Sequence, residues 1–190
     1  MTYQDTLDRL SDDTEARTQK VLDQLEAGDI DQATAIALLT SIIVVAQKRG
    51  AAVAELSFAA QVSAMSATPT VTRGLKAGQK DIVFKIIERT VSKSRGIDET
   101  RTRLVRIARN EPQEIAKQTY GKAIEASPKV EGWTRGLDAD PCELCVWWSR
   151  DGRVWPKDYP LAHHKGCQCT QVPVLAEKVA AVPYSRILSR

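Results

Sequence analysis

All four cysteines of this 190-residue chain fall in one short stretch, Cys142-Glu143-Leu144-Cys145 followed by His163-His164-Lys165-Gly166-Cys167-Gln168-Cys169. Two soft thiolates three positions apart can grip one metal ion from a single turn. A distant group of cysteine and histidine can then complete a tetrahedron and close the loop between them. The segment is short of aliphatic residues, and below ~40 residues a fold usually needs a metal, a disulfide or a partner. The pattern points to a structural Zn2+ site, which can supply on the order of 10 kcal/mol of folding free energy. Five candidate ligands compete for what are normally four positions: Cys142, Cys145 and His164, with one or both of Cys167 and Cys169. His163 stands next to His164 and reads as surface, with ligation as its alternative. A closed site leaves no position for substrate, so the metal is expected to hold structure and not to catalyse.

Charge is distributed unevenly. Residues 1–40 contain Asp5, Asp8, Asp12, Asp13, Glu15, Asp23, Glu26, Asp29 and Asp31 against Arg9, Arg17 and Lys20, a net of −6, so the overall +3 leaves +9 for the rest. An acidic arm on a basic body suggests different partners at the two ends; solvated helix faces would give the same count. The opening Met1-Thr2-Tyr3-Gln4-Asp5 carries no secretory signal. Folding is therefore expected in a reducing cytosol, where clustered cysteines favour metal over disulfides. The most apolar run, Ala35 to Ala46, contains Thr40 and Ser41 and is too short for the ~20 residues that span a bilayer, so no membrane is expected.

The periodicity predicts a mainly α protein: long N-terminal helices, then a small C-terminal α+β module stapled by the zinc site. Thr2 with Asp5 can cap a first helix carrying Leu7, Leu10, Val21, Leu22 and Leu25, which Gly28-Asp29 ends. Asp29 or Asp31 can cap the next, one long helix or two collinear pieces reaching about Met65 with only Gly50 interrupting. Between Ala35 and Ala46 it is apolar on nearly all faces, so other protein should cover it, in an oligomer or against a partner. Ser66 to Thr70 reads as a linker. Lys80 to Ser94 reads as an amphipathic helix burying Ile82, Phe84, Ile86, Ile87 and Val91. Asp98 is placed as the cap of the following helix, Pro112 where a fresh helical turn could begin, and Ser127-Pro128 at the end. Val130 to Arg135, the Asp151–Trp155 turn and Cys167 to Val174 read as short strands, with a helical turn at Cys142–Trp148. The segments are a helical arm for docking or oligomerisation (1–67), a helical middle region (68–128), the zinc-stapled module (129–175) and a tail (176–190).

Arg103, Arg106 and Arg109 recur every three residues on one helical face and, with Arg101, Lys93 and Arg95, could contact phosphates of DNA; a solvated face is the plainer account. Trp133, Trp147, Trp148 and Trp155 cluster around the cysteines, as core before stacking platforms. A thioredoxin-type role for the Cys142/Cys145 pair lacks the surrounding βαβ pattern.

Gly132-Trp133-Thr134-Arg135, Asp140-Pro141-Cys142-Glu143-Leu144-Cys145, Asp151-Gly152-Arg153-Val154-Trp155-Pro156 and His164-Lys165-Gly166-Cys167-Gln168-Cys169-Thr170 together resemble the C-terminal signature of the Mu F-like minor head proteins, the head morphogenesis family of tailed bacteriophages. Ile107-Ala108-Arg109-Asn110-Glu111 is similar to a helical Ala-Arg-Thr-Glu element of that family, with Asn110 departing from the usual Thr. The likeness covers roughly residues 100–175 and is only architectural before residue 95. It implies a non-enzymatic minor capsid protein acting at the portal vertex or head interior in assembly and DNA packaging or ejection. Portal protein or major capsid protein would be partners, with self-association through helices and contact with phage DNA as further options. It also implies location in the virion, and in the host cytoplasm during assembly, with His164 and not His163 as the family histidine. Two other readings compete: a zinc-ribbon DNA-binding protein using the arginine face, and a His-Asn-His-type nuclease, which would need an open metal position that Lys165-Gly166-Cys167 does not offer.

Overall fold

The computed structural model describes residues 2–72, 78–164 and 166–176. Four helices, α1 (Tyr3–Ala27), α2 (Gln32–Ser66), α3 (Lys80–Lys93) and α4 (Ile97–Ala126), precede a small module. There β1 (Val130–Gly136) is followed by α5 (Glu143–Ser149), a 3-10 turn (Arg150–Gly152), β2 (Trp155–Pro156) and β3 (Thr170–Leu175). The protein is thus mainly helical with a small C-terminal sheet. The described residues form two compact units: 2–54 with 78–119, and 55–72 with 120–176. The tail expected over 176–190 lies, apart from Ala176, outside the described residues.

The first unit is built from α1, α3 and parts of α2 and α4. Thr2 and Asp5 form a reciprocal capping box, the Asp5 N–H reaching Thr2 Oγ1 at 3.1 Å and the Thr2 N–H reaching Asp5 at 2.7 Å. Gly28, at φ 78°, ends α1 in the left-handed conformation that side chains disfavour. Asp31 accepts the Thr34 N–H at 2.7 Å and opens α2. Along α2, Ala35, Ile36, Leu39, Ile43, Ala46, Gly50, Ala51 and Ala54 are buried at helical spacing, and Leu22, Val83, Ile87 and Leu104 complete the core. The seam of α1 also contains Ser11, Thr14 and Thr18, three small polar residues that let helices approach closely. Thr14 satisfies its hydroxyl on the Leu10 carbonyl at 2.6 Å.

Several local expectations shift. Of the two alternatives for the second helix the single long one is found: residues 32–66 form one helix that Gly50 does not break. It is, by length and composition, long and apolar enough to cross a membrane, with a window of mean hydropathy 1.5 of which 44% is buried. The run Ala35–Ala46 alone is shorter than a span, and the helix reaches that length by continuing through small residues on either side of Gly50. Gly50 is instead a contact point: a Cβ there would overlap the Pro112 carbonyl oxygen. Pro112 lies inside α4, not at a helix start. In α3 the buried residues are Val83 and Ile87, while Ile82, Phe84 and Ile86 face outward. Asp98 lies in the first turn of α4, and Glu99 reaches back to the Arg95 N–H at 2.6 Å.

In the second unit β1 is the middle strand of an antiparallel sheet ordered β2-β1-β3. Gly132 pairs with Pro156, and a Cβ there would sit 2.5 Å from the Trp155 carbonyl oxygen, so this crossing needs glycine. Phe58 meets Tyr120 edge-on at 5.5 Å, and the Tyr120 hydroxyl donates to Gln61 at 2.5 Å. Lys129 donates to Thr68 Oγ1 (2.8 Å), the Pro69 carbonyl (2.9 Å) and Thr70 Oγ1 (3.0 Å), fixing the segment after α2 to the start of β1.

The contact at Gly50 yields a test. Gly50→Ala should destabilise the protein by about 1–3 kcal/mol through overpacking against backbone, read as a lower denaturant midpoint. Gly96→Ala, where a Cβ meets nothing within 4 Å, should leave the midpoint nearly unchanged.

Candidate metal centre

The sheet and α5 bring the sulfur-bearing segments together. Cys142 is the N-cap of α5, and its carbonyl accepts the Val146 N–H at 3.0 Å. One turn of this helix therefore carries Cys145 inward, where it is buried, while Cys142 stays exposed. From the other side, Cys169 directly precedes β3, whose first residue, Thr170, pairs with Gly136 of β1. The Cys167 N–H donates to the His164 carbonyl at 3.1 Å across a tight turn in which Gly166 takes φ 79°. That turn delivers His164 and Cys167 to the same place.

His164 Nε2 lies 3.1 Å from Cys142 Sγ and 3.5 Å from Cys145 Sγ, and the Cys145 and Cys167 sulfurs are 3.5 Å apart. Two triads share Cys145: Cys142/Cys145/His164 and Cys145/Cys167/Cys169, with the ligand atoms of each within 4.8 Å of one another. Bond lengths of about 2.3 Å for zinc–sulfur and 2.0–2.1 Å for zinc–nitrogen place tetrahedral ligands roughly 3.5–3.8 Å apart. These three separations come within about half an ångström of that range, so these side chains can hold a metal ion. All four thiols are free of disulfide bonds.

The electrostatics agree. The Cys145 N–H at the start of α5, and next to it His164, pull the Cys142 thiol below its ordinary value. Burial pushes Cys145 up to about 11. Cys169 is raised by its contact with the Cys167 sulfur and by burial, and it also meets Asp138 at 3.8 Å. Crowded sulfurs resist ionising together, whereas a divalent cation would stabilise their thiolate forms.

Other sequence candidates fall elsewhere. His163 is exposed and its Nδ1 lies 2.9 Å from the Leu161 carbonyl, outside both triads. Arg109 pairs with Asp12 (3.0 Å) and Glu15 (2.7 Å), Arg103 with Glu99 (2.6 Å), and Arg101 with Asp23 and Glu26 (both 2.8 Å). Much of the acidic arm thus neutralises arginines of its own chain. Arg106 is exposed. Trp148 packs on the cysteine cluster and stacks on His164 at 6.4 Å, as a core tryptophan should, but Trp147 is 57% exposed. Asp138 and Arg135 were not among the candidate site residues of the sequence. Asp138 lies just ahead of Cys142, and nothing marked Arg135, read as a strand residue, as buried.

Residues 1–186 match the VG15 protein family. The chain belongs to that family. VG15 is a family of phage proteins, and the match takes in the helices and the cysteine module together. No curated protein and no solved structure matches the chain.

Metal binding must displace the protons of the thiols that become ligands. Cys145, raised by burial, is protonated at neutral pH in the metal-free protein, so affinity should rise with pH, by about tenfold per unit for each proton released. Competition with a chromogenic chelator between pH 6 and 8 should show this. A pH-independent affinity would contradict thiolate ligation. Cys142→Ser should weaken binding at neutral pH and disturb the near-ultraviolet circular dichroism of the surrounding tryptophans.

Proposed function

We propose that this VG15-family chain is a structural, non-enzymatic component of the phage head, a minor capsid or head morphogenesis protein of the Mu F-like kind. It acts at the portal vertex or head interior during assembly and DNA packaging or ejection. The observation that carries the reading is the coincidence, in a phage family, of a metal-ligating Cys/His cluster with the C-x-x-C, Asp-Gly-Arg-Val-Trp and His-x-x-Cys-x-Cys signature. In this reading one Zn2+ is held by Cys142, Cys145, His164 and Cys167, and buried Cys169 stays a thiol beside Asp138. The ion supplies folding free energy to a module whose sheet is too small to stand alone.

The helical part then serves as a docking surface. Leu38 and Val45 on α2, and Ile82, Phe84 and Ile86 on α3, are exposed apolar side chains suited to portal protein, major capsid protein or a second copy. No membrane enters the role. The DNA-binding alternative is weakened because Arg103 and Arg109 are engaged by Glu99 and by Asp12 and Glu15.

Two assays run together separate the readings. Immobilised portal protein of the same phage should retain the chain at both low and high salt, and the chain should be found in purified virions. A failure to bind portal or capsid protein, together with a DNA shift that weakens steeply with salt, would replace this reading with the DNA-binding one.

A further inference from the structure

A cleft of about 150 Å3 lies in the C-terminal unit, walled by Trp133, Trp147, Trp148 and Trp155 with Arg135 among them. Arg135 shares a face of β1 with Trp133, two residues away, and is only 7% exposed. Its Nη2 donates to the Ala162 carbonyl, and its guanidinium lies 5.3 Å from the centre of the Trp148 ring. The Nε and Nη1 groups of Arg135 are buried without an acceptor, and so is Trp155 Nε1. Among the described residues no carboxylate pairs with Arg135. A buried cation with unused donors beside an apolar cleft is costly unless an anion completes it.

We propose that the cleft receives the carboxylate of a partner peptide, carried on a small apolar or flat group. Arg135 meets the charge, Trp155 Nε1 offers a further donor, and the indole walls bury the body. A single buried guanidinium matches a single negative charge. A space of about 150 Å3 takes one side chain or chain end but not a phosphodiester flanked by two nucleosides. The ring faces are also largely taken. Trp155 is covered by Tyr159 at 4.6 Å and by Arg153 at 4.4 Å, and one face of Trp147 by Arg150 at 4.0 Å. A run of stacked bases would need those faces free. The site is separate from the metal cluster, although Trp148 borders both, and it stands whether or not the chain is a virion protein.

The test uses the full-length, metal-loaded chain and its intrinsic tryptophan fluorescence. Benzoate should change the emission saturably, and neutral benzamide should bind at least about tenfold more weakly, since only the carboxylate engages the buried guanidinium. Arg135→Gln should abolish the preference. Because Arg135 is buried, Trp147→Ala at an exposed ring is the second variant, expected to weaken benzoate by about fivefold through loss of aromatic contact. Two peptides then separate the sources: acetyl-Ala-Leu-Phe with a free carboxylate, and acetyl-Ala-Glu-Leu amide. Binding of the first assigns a C-terminal carboxylate, and binding of the second an acidic side chain. Equal affinity for benzoate and benzamide, failure of both peptides, or tighter binding of inorganic phosphate or oligothymidylate than of benzoate would overturn the proposal.

Discussion

Three sulfurs and an imidazole meet around the buried thiol of Cys145, an arrangement that is hard to keep without a cation. As thiols the groups make weak hydrogen bonds; as thiolates they repel one another in a poorly solvated place. A divalent ion would reverse that balance and turn the same crowding into a staple between α5, the His164–Cys167 turn and the entry to β3. The sheet would gain most from it. β2 is two residues long and β3 six, so a bound ion would add a constraint that these short strands do not supply themselves.

The helical unit follows a different logic. Its core is apolar, but its helices are indexed by polar contacts. Gln47 donates to Glu111 at 2.6 Å, and Gln113 reaches Asp8 at 3.1 Å. With the Arg101 and Arg109 pairs, these place α4 against α1 and α2 in one register. The Ile107–Glu111 element that resembled a family motif supplies two of these contacts, through Arg109 and Glu111. Its role in this chain is to lock helices, which accounts for a charged pair of residues so close to a packed seam.

Much of this was legible because it is local. The Thr2/Asp5 box, the Gly28 stop and the Asp31 start are all set within a few residues, as is the helical placement of the C-x-x-C pair. What escaped depends on partners distant in sequence. The seam of α1 uses Ser11, Thr14 and Thr18, whose polarity hides them from an apolar pattern. The buried stripe of α3 runs through Val83 and Ile87, and a helix with apolar residues on two faces does not reveal which one is covered. The Arg103–Arg109 face read as solvated, with phosphate contact as the alternative, and its pairing was hidden because the acids that engage Arg109 lie 94 and 97 residues away on α1. Arg135 read as an ordinary strand residue, since its burial follows from the tryptophans folded over it from the α5 and β2 segments.

X-ray absorption at the metal edge of the protein as purified tests the central claim most directly. A stapled module predicts zinc with a sulfur shell near ~2.3 Å and a nitrogen contribution near ~2.0–2.1 Å, in a ratio of about three to one. A shell of oxygen and nitrogen alone, or no bound metal in a protein whose β1–β3 sheet is intact, would contradict it.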